Sequence, residues 1–350
     1  MTKLTIKPAH CGIYAILGLL LADAAGAIDI GDSVQLHGFG SQDYAQTTDN
    51  KYLDADKKGT WNNNFLGLVG TVSVTDKMKV WAQLETSTDD VTRFTWAFVD
   101  YQFSDAFSAQ VGRIKFPLGL YNETIDTTFL QLSSITPDLY QGAADFVHDS
   151  YTGVGIRYDK ALGSGRLSWQ VYAGENFDPN QDPVLRDRQM QGTRLTYETP
   201  VDGLRFMVSF NHGQVQVLTT DTFVPEQRSI LSADYTAHDW DIKSEYAAGQ
   251  FQHVNSNSYY LQLGRTFVER WTPFARYDVV NLDRTLQGND SFTEKSLVAG
   301  LGYKLLGNVS LRGEAHFNRG YALPVASGEV IQGEGTRNWT MVVFGVHFIF

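Results

Sequence analysis

From residue 33 onward, apolar and polar positions alternate with a period of two in segments of about ten residues. In one segment Val309, Leu311, Gly313, Ala315 and Phe317 interleave with Ser310, Arg312, Glu314 and His316. In another, Leu204, Phe206, Val208 and Phe210 interleave with Arg205, Met207 and Ser209. Successive side chains of a strand point to opposite faces, so each segment has one apolar face and one polar, often charged, face. The pattern predicts strands near 33–44, 61–74, 78–86, 93–103, 107–115, 150–159, 166–174 and 189–199. A second series follows near 204–214, 227–236, 240–250, 258–267, 271–281, 292–304, 309–319 and 338–350.

The connectors alternate in length. Short ones such as Thr75-Asp76-Lys77, Gly163-Ser164-Gly165 and Leu305-Leu306-Gly307-Asn308 have the chemistry of tight turns. Between them lie long connectors at 45–60, 116–149, 175–188, 215–226, 282–291 and 320–337. This ordering sets short turns at one rim and long loops at the other, the layout of a transmembrane antiparallel up-and-down β-barrel of about sixteen strands. Large aromatics crowd the strand ends beside the short turns: Tyr101, Phe103, Phe107, Tyr158, Tyr197, Tyr235, Trp240, Trp271, Tyr303 and Phe350. Such rings favour a membrane–water interface.

Charge decides between a soluble barrel and a membrane barrel. Lys79, Glu85, Arg157, Arg166, Arg194, Glu198, Arg205, Arg228, Lys243, Glu245, Arg276, Asp278, Arg312 and Glu314 share the polar face. Burying so many ions in a dry interior would cost several kcal/mol each. A water-filled interior removes that cost, and closure leaves no strand edge unpaired in lipid. At about sixteen strands a barrel encloses an aqueous channel.

The N-terminus reads as an export signal. Lys3 and Lys7 precede an apolar run at 13–22, and Ala25-Gly26-Ala27 supplies the small residues of a cleavage site. Residues 1–27 are expected to be removed after Ala27, leaving residues 28–350 as one barrel domain. The single cysteine, Cys11, lies in the signal segment, which excludes disulfides and cysteine-held metals from the processed chain. The formal charge of −11 and the lack of a basic tract argue against nucleic acid. The eight histidines are scattered, with no His-x-x-x-His pair, and no nucleophile elbow or phosphate loop is present. No cofactor and no catalysis are expected. Asp54-x-Asp56 and Asp89-Asp90 could hold a divalent cation in the loops, although such acidic pairs are usually solvated.

In its connector alternation, its longest loop and its last strand the chain resembles the Gram-negative outer-membrane porin family, across essentially the whole processed sequence. The last strand carries Thr340, Val342, Phe344, Val346, Phe348 and Phe350 on one face. A terminal Phe350 resembles the signal read by the outer-membrane assembly machinery. The resemblance implies passive diffusion of ions and small hydrophilic solutes, a homotrimer, and contact with bilayer and lipopolysaccharide. It also implies that the third long loop, 116–149, folds inward and narrows the channel. That loop carries Glu123 and Asp126, expected to face a basic wall drawn from Arg113, Lys115, Arg157, Arg194 and Arg228. The Pro-Glu-Phe-Gly-Gly stretch of the best-known general porins is absent. The strand-borne arginines leave open a channel specific for an anion such as phosphate or a carboxylate. A structural or enzymatic barrel is the remaining alternative. The outward faces of the first two strands, Val34, Leu36, Gly38 and Gly40 with Leu66, Leu68, Gly70 and Val72, are smooth enough for barrels to pack together.

Overall fold

The computed structural model describes residues 28–87, 92–141, 149–176, 185–251, 254–282, 293–323 and 335–350. The expected signal segment, Asp89 and Asp90 lie outside the described residues. Strands β1 (Ile28–Ile30), β2 (Val34–Thr47), β3 (Thr60–Thr75), β4 (Met78–Ser87), β5 (Thr92–Ser104) and β6 (Phe107–Lys115) precede the longest loop. After it come β7 (Ser150–Leu162), β8 (Gly165–Asn176), β9 (Leu185–Glu198), β10 (Leu204–Val217), β11 (Thr222–Ala237) and β12 (Trp240–Phe251). The chain ends with β13 (Val254–Arg265), β14 (Trp271–Leu282), β15 (Thr293–Leu306), β16 (Val309–Gly320) and β17 (Asn338–Ile349). From β2 on, each strand pairs antiparallel with the next, and β17 returns to β2, so sixteen strands close into a barrel. The three residues of β1 pair with the start of β2, where β17 does not reach.

Alternation has its expected consequence. On β10, Phe206, Val208 and Phe210 are exposed on the outside, whereas Met207 and Ser209 are buried inside. Two connectors differ from expectation. Residues 215–226 are not a long loop, because β10 runs to Val217 and β11 begins at Thr222. The β-branched Val215, Val217 and Val224 favour strand although they put apolar groups on the inward face, and a turn at 218–221 suffices, with Asp221 in the left-handed region at φ 52°. Strands β12 and β13 likewise approach to within two residues, Phe251 to Val254.

The seam is closed by backbone and side chain together. Gly38 N–H donates to the Phe350 carbonyl at 2.7 Å and Phe350 N–H to the Gly38 carbonyl at 2.8 Å. A Cβ on Gly38 would fall 2.0 Å from Phe350 Cζ, and one on Gly40 2.7 Å from Phe348 Cζ. The two glycines read above as a smooth outer surface are therefore notches filled by rings of the chain's own last strand. Gly38→Val is expected to expel the Phe350 ring at a cost of roughly 1–3 kcal/mol. Unheated gel electrophoresis should show less compact folded protein, and the loss should shrink in a Phe350→Ala background. An equal loss in both backgrounds would separate the glycine from the ring.

Much of the interior is packed. Tyr52 and Ala55 of the first long loop, Ile135 of the third and Leu323 of the last join Trp339, Met341 and Val343 of β17 in one apolar cluster. Asn50 ties two of these loops: its Nδ2 donates to Thr336 O, and Thr336 N–H to its Oδ1, both at 2.7 Å.

Candidate functional site

The third long loop crosses the interior and is latched to the far wall. It leaves β6 over an aromatic base, where the Phe116 ring lies 4.9 Å from Tyr151 and 5.4 Å from Tyr172. At Gly119 the backbone takes φ 63°, and a Cβ there would fall 2.1 Å from Tyr140 Oη, so glycine is required on both counts. The chain then meets Glu245 of β12. This buried carboxylate accepts Leu120 N–H at 2.8 Å, Tyr140 OH and Ser232 OH at 2.6 Å, and Tyr260 OH at 3.0 Å.

Further on the loop follows β16 and β17. Arg312 donates to the carbonyls of Thr128 at 2.6 Å and Phe129 at 3.0 Å. Glu314 accepts Ser133 OH at 2.5 Å and Ser134 N–H at 3.0 Å. Both ring nitrogens of His347 lie against loop hydroxyls, Thr128 at 2.8 Å and Ser134 at 2.9 Å. On β14 the Arg276 side chain is fully buried. It donates to Asp278 at 2.8 Å, to Ile135 O at 2.9 Å and to Thr136 O at 3.3 Å. Asp138 N–H donates to Asp278 at 3.1 Å, and its carboxylate accepts Ser296 OH at 2.5 Å. Burial, then the charge of Asp278, push the Asp138 carboxyl up to about 7, against the pull of Arg276.

The latched loop leaves a cleft along β7 to β10. Glu123, on a single 3-10 turn at Asn122–Thr124, is half exposed and pairs with Arg194 Nη1 of β9 at 2.5 Å. Arg194 Nε donates to Gln170 Oε1 at 2.8 Å. Arg157 pairs with Asp159 at 2.9 Å and Arg205 with Asp234 at 2.7 Å. Gly119, Leu120 and Glu123 from the loop and Arg157, Arg194 and Arg205 from the wall enclose about 230 Å³. A larger cavity of about 720 Å³ shares Leu120, Glu198 and Arg205 with it and reaches the turns at Ser164 and Pro200.

The other sequence candidates are placed elsewhere. Lys115 is buried at the loop's base, where it holds Asp126 at 2.6 Å and also contacts Asp149. Gln83 donates to the same Asp126 carboxylate at 2.8 Å. This pair joins the loop to its own root instead of facing across the cleft. Arg113 Nε donates to Ser150 Oγ at 2.8 Å, and Arg228 pairs with Glu226 at 2.9 Å. Arg205 lines the cleft although it was not among the expected wall residues. Its place on the polar face of β10 was the available signal, but periodicity does not rank positions along a strand. Among the described residues no group of three or more His, Cys, Asp or Glu side chains could hold a metal ion.

No protein-family model matches the sequence, and no curated protein matches it either. Solved structures do match. OmpF of Salmonella typhi, in complex with daunomycin, superposes with a TM-score of 0.66 at 13% identity, over 93% of this chain and 100% of that one. The outer membrane channel DcaP of Acinetobacter baumannii gives 0.62 at 11%, over 92% and 100%. An anion-selective porin from Comamonas acidovorans gives 0.61 at 16%, over 91% and 99%. At such identities the likeness is one of architecture, and it agrees with the strand order. The chain has the fold of the outer-membrane porins, a closed antiparallel barrel of sixteen strands with its polar face inward.

Proposed function

We propose that this protein is a bacterial outer-membrane channel for passive diffusion of ions and small hydrophilic solutes, with no catalytic role. On this reading residues 1–27 direct export through the periplasm, Phe350 is read by the assembly machinery, and the barrel works as a homotrimer among lipopolysaccharide. One observation carries the proposal: a polar cleft runs between an inward-latched loop and a wall of arginines. Glu123, paired with Arg194, and the neighbouring Arg157 and Arg205 put charges of both signs on the lining of a narrow opening, which favours polar solutes over apolar ones.

Three arginines on one wall support a second reading, a channel specific for carboxylates or phosphates. Against it, each guanidinium already has a carboxylate, Asp159, Glu123 and Asp234 in turn. The balanced charges support weak selectivity. In planar bilayers under a salt gradient the protein should show discrete conductance steps and a small reversal potential. Glu123→Gln removes one negative charge at the opening, worth about 1 kcal/mol, and should shift preference toward anions by about fivefold. A reversal potential unmoved by that substitution would take Glu123 out of the solute path. Strong anion selectivity with block by phosphate or a dicarboxylate would favour the specific channel.

A further inference from the structure

We infer that the outer surface around Arg265 binds the phosphodiester headgroup of an anionic phospholipid, an inference that rests on the membrane reading above. Arg265 ends β13 on the outward parity, following Leu261 and Leu263, both exposed. Its Cζ lies 4.9 Å from the centre of the Trp240 ring and 5.2 Å from that of Phe267. Among the described residues no carboxylate forms an ion pair with it. Its inward-facing counterparts Arg157, Arg194, Arg205 and Arg276 all have carboxylate partners. A guanidinium placed between two rings, at the edge of an apolar wall, keeps its charge only by reaching the interface. There it meets the phosphates of the lipids.

The adjoining turn is built for the same surroundings. The two-residue turns at this rim, Asp76-Lys77, Asp105-Ala106, Gly163-Ser164, His238-Asp239 and Gly307-Asn308, are polar or small. Between β13 and β14 stand Thr266, Phe267, Val268, Glu269 and Arg270, closed by Arg270 N–H to Phe267 O at 3.1 Å. Val268 and Glu269 take φ 50° and 58°, a conformation that a β-branched residue rarely adopts. Val268 is 87% exposed, and Phe267 and Trp271 are exposed beside it. The apolar tip and its flanking rings fit the glycerol and upper acyl region, and Arg265 supplies the charge for the headgroup.

Native mass spectrometry of the full-length folded protein tests this, after incubation in detergent with phosphatidylglycerol or with phosphatidylcholine. The wild type should retain phosphatidylglycerol in preference to phosphatidylcholine. Arg265→Gln should reduce that preference by about fivefold, and Arg265→Lys should keep most of it. Equal retention of both lipids by the wild type, or an unchanged preference in Arg265→Gln, overturns the proposal. Displacement of the lipid by inorganic phosphate alone overturns it too, since a free-anion site would then account for the binding. Conductance steps from the same Arg265→Gln preparation report on the channel reading separately, because Arg265 lies outside the cleft.

Discussion

Arg276→Met is expected to destabilise the folded barrel by about 3–5 kcal/mol. The guanidinium is fully buried between Asp278 and the carbonyls of Ile135 and Thr136, and Asp138 bonds to the same Asp278 carboxylate. Without it the Asp278 carboxylate and two loop carbonyls stay in place with the guanidinium that served them gone. Leaving a buried charge uncompensated costs more than the pair contributed. The substitution should lower the temperature at which the unheated gel band converts to the unfolded one. It should also raise amide exchange across residues 133–138. Arg276→Met with Asp278→Leu should recover part of the loss, since the stranded charge goes with its partner. If the single variant converts at the wild-type temperature, the latch on β14 is not what fixes the loop.

Glu245→Ala acts on the other side of the same loop, and its larger effect should be on transport. Four donors converge on this carboxylate, and one of them, Leu120 N–H, lies three residues before Glu123. Hydrogen bonds to a charged acceptor are worth roughly 1.5–3 kcal/mol each. Their joint loss should free the segment around Gly119 and let Glu123 move from Arg194. Larger and noisier single-channel currents are the expected readout, with weaker ion selectivity. Glu245→Gln should fall between, because it keeps one acceptor oxygen. Currents of wild-type size and noise in Glu245→Ala would mean that the Phe116 base and the β14–β17 contacts hold the loop unaided.

The strands were legible because each has a wet face and a greasy one, and a period-two pattern records that directly. Boundaries were less legible where the phase of the alternation reverses: Val215 and Val224 are apolar on the inward face, whereas the apolar residues lower on β10 face outward, so the pattern breaks before the strand does. The opposed pair in the cleft was half legible. Glu123 could be read from its loop and Arg194 from its strand, yet their contact depends on how far the loop travels. Asp126 sits three residues from Glu123, and nothing in local spacing shows that the loop doubles back to Lys115. The latch residues Glu245, Arg276, Arg312 and Glu314 are legible as polar-face positions, and all four are buried inside the barrel. Their partners are backbone groups and hydroxyls of a distant loop, which carry no periodic signature.

The cluster of Tyr52, Ile135, Leu323 and Trp339 makes the cylinder mechanically lopsided. One half is braced from within like a filled pipe, at the low compressibility of packed side chains. Beside β7 to β10 the filling is partial: Phe116, Tyr151 and Tyr172 brace one level of the wall, and the cleft borders it at another. Thermal breathing of the wall should therefore concentrate in the strand segments that line the cleft, next to the opening that solutes would use, while the braced half holds the loop's far anchor still.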